Sequence, residues 1–570
     1  MLPLTGAETA RPISRGAVTS RQVRRVPASA LVLACVLALG VGAARPATIR
    51  GTLGPDRLIG TARPDTIFGR AGADRLAGLG GADLLDGGPG RDVLSGGPGN
   101  DRLAVSDEVA QDTVRCGAGR DVAVAELADA VGQSCEIVTR QLSRDPFTDE
   151  DGQHQTQVEP DSFAVGSTIV TAFQAGRMVD GGASGIGFAT SRDGGAHWRS
   201  GFLPSLTTES KPTGEAPSAS DPVVAYDALH GVWLIATVAE SEFRVQTLVS
   251  RSRDGFTWGA PIVAAGDPAE DDDKEWLVCD NGLASPFRGH CYLSYLDARS
   301  AEIRTRISTD GGLSWSAPAV TAPRTELGFV NGAQPVVRPD GTLVVVFDLA
   351  AGGDHFADPA ASQIQAARST DGGRSFGPVV TVARVQAEDV PGIRAPTLPS
   401  ADVDAGGTVY VAWGDCRFRD DCALDDIVVS RSRDGLTWTP PERLPLVAEG
   451  SDVQAFVPGL AVDPTTGGST AHVAVVAYTQ AESCSYEGCR GIGVAFVSSR
   501  NGGRSWTSPR RLDAQPMSML WLPDTGLGRM LGDYVSTSYV RRRPVPVFAL
   551  AVEPFGGQFR EAIYASTRIR

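Results

Sequence analysis

The 570-residue chain is 42% hydrophobic, enough for several packed cores, which excludes a wholly disordered protein and points to more than one domain. Its formal net charge of −15 excludes the basic face that nucleic-acid binding requires. Nine cysteines include one, Cys35, in an N-terminal apolar stretch; the other eight stand as sequence neighbours. Cys116/Cys135, Cys279/Cys291, Cys416/Cys422 and Cys484/Cys489 are expected to be local disulfides, and so to mature in an oxidising compartment.

Residues 1–44 read as an export signal. Five arginines between Arg11 and Arg25 precede the apolar run Ala28 to Val41, and Ala43-Ala44 offers a small-residue cleavage site. The run is short for a membrane span, so secretion is expected, with no span left after cleavage.

A fine repeat follows over 45–138. Asp56, Asp65, Asp74, Asp83, Asp92 and Asp101 are spaced nine apart, with Leu58, Ile67, Leu76, Leu85, Leu94 and Leu103 as a matched apolar column. The clearest units are Gly87-Gly-Pro-Gly-Arg-Asp92 and Gly96-Gly-Pro-Gly-Asn-Asp101. Glycine turns expose carbonyl oxygens and each Asp adds an anionic one, a ligand set suited to Ca²⁺. These units resemble the RTX (haemolysin-type) nonapeptide, which implies a parallel β-roll wound around Ca²⁺, with the six aspartates as metal ligands. The first two turns depart from the motif, Arg63 standing where glycine is expected. Asp112 and Asp121 are again nine apart beside Cys116 and Cys135, which suggests a disulfide-closed cap. Residues 139–157 read as a connector, and Glu136–Gln141 is a candidate to close the following domain as a strand.

Over 158–570 a coarser repeat appears. Ser308-Thr-Asp310-Gly-Gly-Leu-Ser-Trp315 has relatives at Asp193, Asp254, Asp371, Asp434 and Asn501, in steps of 61, 56, 61, 63 and 67 residues. Strand-like runs such as Thr342-Leu-Val-Val-Val-Phe347 stand before the turns. The turns resemble the Asp box of the sialidase-like (BNR repeat) superfamily. That resemblance implies a β-propeller with the boxes on the face away from the active site. The expected architecture is therefore all-β, a Ca²⁺-bound roll followed by a propeller, seven blades favoured and six the alternative.

Candidate chemistry gathers where the inner strands begin, at Glu159-Pro, Asp221-Pro, Asp273-Lys274-Glu275-Trp276, Gln334-Pro, Arg394 and Asp533-Tyr534. Lys274 is one of only two lysines, Lys211 being the other. Sialidases open their first blade with an Arg-Ile-Pro motif that binds the substrate carboxylate; here Val158-Glu159-Pro160 puts an acid there. Arg177, Arg394 and Arg529 are the cations left to replace it, and Asp533-Tyr534 is the candidate nucleophile region. Two functions follow: a secreted calcium-binding protein that recognises or processes an extracellular glycan or glycoprotein at the mouth, or an exo-glycosidase, of exo-α-sialidase type by resemblance; a purely structural surface protein, the third possibility, predicts no pocket. The catalytic candidates for the second are Glu159, Asp221, Glu275, Arg394, Asp533 and Tyr534, an enzyme's carboxyl separation deciding between retention and inversion. The sequence leaves catalysis and oligomeric state open.

Overall fold

The computed structural model describes residues 46–105, 111–241, 244–351, 362–484 and 488–570. The expected export signal lies outside them. Residues 45–570 form one compact unit, built of strands.

The nine-residue period makes two parallel sheets. Strands Thr48–Arg50, Thr66–Phe68, Leu84–Asp86, Arg102–Val105 and Val122–Ala125 stack in one sheet. Strands Arg57–Ile59, Arg75–Ala77, Val93–Pro98, Thr113–Ala118 and Ala130–Val131 stack in the other. Consecutive units alternate between the sheets, so Ile49, Ile67, Leu85 and Leu103 fall in register on one side. Ile67, Leu76, Leu85, Leu94 and Leu103 are buried as the core of this solenoid. At roughly 1.5–3 kcal/mol per buried side chain, that thin column alone is a modest core. The Cys116–Cys135 disulfide closes its end.

The rest of the chain folds into antiparallel sheets built on four strands each, the first two bridged at Ala183 and Ala219 and the sixth extended by Met517–Ser518; their first strands, in order, are Gly152–Val165, Ser218–Asp227, Asp272–Cys279, Gly328–Val337, Ser400–Val403, Val453–Val462 and Ser536–Val540. The first of these begins at Gly152, inside the stretch read as connector, because Gly152 and Gln153 pair with Met178 and Arg177. Each first strand contacts the next, and Ser536–Val540 contacts both Val453–Val462 and Gly152–Val165, so the inner strands close a circle. Side chains staple neighbours together. Val224 N–H donates to Asp161 (2.8 Å), Val462 N–H to Asp402 (2.7 Å), Leu460 N–H to Ser400 (2.9 Å) and Ser162 N–H to Ser536 (3.0 Å).

The seventh sheet takes its outer strand from the other end of the chain. Ile137–Gln141 pairs antiparallel with Glu561–Ile569 and, on its other edge, parallel with Val122–Ala125. One continuous sheet therefore runs from the solenoid into the closing sheet of the circle. Ala104, Val122, Val124 and Ile137 also share a core with Val494, Phe496, Leu512 and Tyr564.

The Ser-x-Asp turns are held by their own polar atoms. Asp310 Oδ1 accepts from Ser308 Oγ (2.9 Å) and from the N–H groups of Leu313 and Ser314 (3.0 Å each), while Gly311 and Gly312 take positive φ. Asn501 serves in the sixth copy because its Oδ1 accepts the same bonds, from Ser499 Oγ and Ser505 N–H. The N–H groups of Thr257 and Thr437 lead in pulling Asp254 and Asp434 down to about 2. These carboxylates act within their turns. The other three cysteine pairs, Cys279–Cys291, Cys416–Cys422 and Cys484–Cys489, are also disulfides.

Candidate functional site

The inner strands differ most from one another at a shared irregularity. In five of them the pairing register shifts and one residue takes a left-handed backbone: Glu159 (φ 53°), Asp221 (50°), Lys274 (47°), Gly332 (63°) and Val457 (50°). For a non-glycine residue this costs about 1–2 kcal/mol. Proline follows in three cases, Pro160, Pro222 and Pro458, whereas Glu275 follows Lys274. In the fourth strand the slot belongs to Gly332, two residues before the expected Gln334; the Gln334 side chain instead accepts the Ala401 N–H of the next sheet.

The shifts bring three charged residues together with Asp533. Lys274 Nζ lies 2.6 Å from Asp221 Oδ1, 2.9 Å from Asp533 Oδ2 and 3.3 Å from Glu159 Oε1. Arg394 holds Asp533 by both oxygens, Nε to Oδ1 at 2.8 Å and Nη2 to Oδ2 at 2.6 Å. Glu159 also accepts from the Asp533 N–H (3.1 Å) and from the Gln174 side chain. All of these except Arg394 are buried. Burial would raise Asp533, but the Arg394 and Lys274 charges overcome it and hold the carboxyl far below the usual range. Burial wins at Glu159, which is pushed up to about 7 despite Lys274. Lys274 is raised well above an ordinary lysine because Asp221, Asp533 and Glu159 outweigh its desolvation. The other two arginines are used elsewhere. Arg177 donates to the carbonyls of Met178 and Gly182, and Arg529 to that of Leu522.

A cavity of about 590 Å³ runs through the centre of the circle, lined by the inner strands. Its inner end is made by Lys274, Glu275, Trp276, Asp533 and Tyr534; Glu159, Asp221 and Arg394 are not among its lining residues. It extends along the later halves of the strands to the turns at Asn281–Ala284, Arg338–Pro339 and Asp404–Ala405. Those turns neighbour the Ser-x-Asp turns, as Arg338 Nη2 shows by donating to the Arg433 carbonyl (2.8 Å). The space therefore runs along the later halves of the inner strands toward the Ser-x-Asp turns rather than lying where the inner strands begin.

Two lining groups stand out chemically. Glu275 is buried with no hydrogen-bond partner on either carboxyl oxygen, and burial followed by the Asp221 charge raises it well above the ordinary carboxyl range. Tyr534 stacks edge-on against Trp276 at 5.3 Å and donates its hydroxyl to the Pro222 carbonyl (3.2 Å); burial raises it too. Asp161 and Asp402 also line the cavity and are raised by burial to about 6 and about 7. Sequence reading missed both; each sits within an inner strand and accepts an N–H of the neighbouring sheet, Val224 for Asp161 and Val462 for Asp402, a relation with no motif to mark it.

In the solenoid, the aspartates form ladders. Oδ1 of Asp74, Asp83 and Asp101 accepts the N–H of Asp56, Asp65 and Asp83, one full coil earlier. Asp121 continues the ladder by accepting from Asp101 (2.8 Å). Their Oδ2 atoms are buried without a hydrogen-bond partner, in contrast to Asp56 and Asp65, whose Oδ2 accepts from Thr52 and Thr61. A side chain at Gly69, Gly78 or Gly96 would meet both that Oδ2 and the carbonyl oxygen of Gly87, Gly96 or Cys116. Carboxylate and carbonyl oxygens thus face a common space with no donor between them, which fits a hard cation.

Residues 50–85 and 77–105 match the RTX calcium-binding nonapeptide repeat. The solenoid is thus an RTX repeat region, a type that binds calcium. No curated protein matches the chain. Among solved structures, a Hadza microbial sialidase is similar at 15% identity and TM-score 0.37, over 73% of this chain and 66% of that one. This chain thus spans just under two thirds of that sialidase's length. An ulvan lyase of a polysaccharide lyase family is similar at 10% identity and TM-score 0.43, over 73% and 94%. An α-L-arabinofuranosidase from Fusarium graminearum is similar at 12% identity and TM-score 0.38, over 61% and 93%. None of these similarities carries an argument about activity. Among the described residues no helix is long and apolar enough to cross a membrane.

Proposed function

We propose that this is a secreted, calcium-loaded glycan-binding protein, whose sheets are the seven blades of a sialidase-like propeller and whose central cavity holds the glycan. The observation that carries this reading is the cavity itself, about 590 Å³ at the axis of the circle. Its walls combine Trp276, Tyr534, Phe163 and Tyr539 with the hydroxyls of Ser162 and Ser536. Apolar faces with a few convergent polar groups are what small-ligand pockets present, and a sugar ring offers the matching CH face and hydroxyl edge. In the RTX region, Asp74, Asp83, Asp92 and Asp101 with their glycine-turn carbonyls would hold Ca²⁺, Asp121 extending the set. Asp56 and Asp65 are the weaker ligands, being engaged by Thr52 and Thr61.

One observation favours the hydrolase reading. Glu275 and Asp533 both line the cavity, and their surroundings push their protonation apart, one neutral and one ionised. Glu275 would then donate the proton. Tyr534 is a poor nucleophile in this setting, since burial keeps its hydroxyl protonated. Hydrolysis of a fluorogenic glycoside panel, together with a glycan array, tests both readings. Binding without turnover supports recognition; turnover lost in Glu275→Gln supports the hydrolase; silence in both assays with folded, Ca²⁺-loaded protein overturns the glycan reading.

A further inference from the structure

We infer that Asp533 is a built-in carboxylate ligand that occupies the Lys274–Arg394 cation pair, barring acidic sugars from the inner end of the cavity and leaving it to uncharged ones. This deepens the glycan reading and rests on it for the word sugar, though not for the occupancy of the pair.

The geometry is that of a bound anion. Arg394 presents its two-pronged edge to both oxygens of Asp533, and Lys274 adds a third contact to Oδ2. A guanidinium fork with a lysine beside it is the arrangement by which proteins hold carboxylate ligands. Here the carboxylate is supplied by the chain. The Lys274 ammonium has three donors and faces three carboxylates, Asp221, Asp533 and Glu159, so it has none left for a newcomer.

Asp533 differs from the other two carboxylates in where it stands. It lines the cavity, as Lys274 does, whereas Glu159 and Asp221 do not. Removing its side chain therefore opens the cations toward the cavity. The local backbone has anchors of its own: Gly532 takes φ 127°, and the Asp533 N–H donates to Glu159. A fourth carboxylate brought by an acidic ligand would meet three already crowded around two cations, in a buried site where like charges repel strongly.

The test uses the full chain with Ca²⁺ and two probes, acetate and glucuronate, with chloride as control. Wild-type protein is expected to show no saturable thermal shift with either carboxylate. Asp533→Ala is expected to gain a saturable rise in melting temperature with acetate and measurable glucuronate binding by calorimetry, both lost again in Asp533→Ala combined with Lys274→Met. Asp533→Asn, which keeps the shape and removes the charge, is expected to bind glucuronate at least about tenfold more tightly than wild type, a change of about 1.4 kcal/mol. A folded Asp533→Ala with no carboxylate-specific response overturns the inference, as does glucuronate binding to wild type as tight as to the variant. If Asp533→Ala is recovered only unfolded, refolding yield is read instead: recovery with acetate but not chloride supports the inference, and equal failure overturns it. Acetate rescue alongside a silent glycan panel would sink the glycan reading while keeping the occupied cation pair.

Discussion

Calcium removal should loosen the circle of sheets as well as the solenoid. Buried Oδ2 atoms of Asp74, Asp83, Asp101 and Asp121 have no hydrogen-bond partner. An unsatisfied buried polar group costs about 1–3 kcal/mol, so four of them without a cation cost on the order of 4–12 kcal/mol. The solenoid cannot shed that cost alone. Its last strand, Ile137–Gln141, is also the outer strand of the closing sheet, and its Thr139 hydroxyl donates to the Leu512 carbonyl (2.8 Å). The assay is built into the sequence: all nine tryptophans lie between Trp198 and Trp521, and none lies in the solenoid. Tryptophan emission therefore reports the sheets, and far-ultraviolet circular dichroism reports both parts. Chelation, or Asp83→Asn with Asp101→Asn, is expected to lower the tryptophan-detected midpoint by about 5–10 °C, scaling the usual few degrees per kcal/mol down for a chain of this size. A midpoint that stays fixed while the solenoid signal collapses would show that the shared strand transmits nothing.

The same carboxyls predict the pH dependence. Burial raises Asp74, Asp83 and Asp121, and raises Asp101 to about 6. Groups raised on folding stabilise most below their unfolded values and lose that contribution as pH rises through the folded ones. Calcium-free solenoid signal should thus fall between pH 4 and pH 7 in a circular-dichroism titration, and Ca²⁺ should reverse the trend because protons then compete with metal. Lys274→Met should destabilise the protein by about 3–5 kcal/mol in urea unfolding, since it strands Asp221 without its cation, takes the ammonium from Glu159 and leaves Asp533 to Arg394 alone; a loss below about 1 kcal/mol would mean the cluster relaxes freely. Glu275→Leu should raise stability by about 1–3 kcal/mol by removing a buried carboxyl that has no partner, while weakening any ligand held in the cavity. Destabilisation instead would point to a partner, such as a buried water, for that carboxyl.

Local chemistry was legible in the sequence where it repeats. The nine-residue aspartate spacing and the leucine column specify the solenoid because each unit needs the same turn and the same core position. The Ser-x-Asp-Gly turns are legible for the same reason, since they carry their own hydrogen bonds. The site was legible only as a set of names. Glu159 and Asp533 stand far apart along the chain, and their meeting depends on closure of the circle rather than on any local motif. The stretch of the axis that the cavity occupies was not legible, because that depends on which half of each inner strand leaves space there. Asp161 and Asp402 were missed because their carboxylates answer N–H groups of the neighbouring sheet, Val224 and Val462, a relation that no spacing within one repeat displays. Ile137–Gln141 was legible as a candidate closing strand from its apolar alternation, and it pairs with Glu561–Ile569; its second pairing, with Val122–Ala125 of the solenoid, came from topology.

The most direct test of the central claim is a glycan array of neutral and acidic sugars, probed with wild-type protein and with Trp276→Ala. Neutral glycans retained by wild type and lost in Trp276→Ala would place recognition in the central cavity. Binding that survives Trp276→Ala unchanged, or that favours acidic sugars, would contradict it.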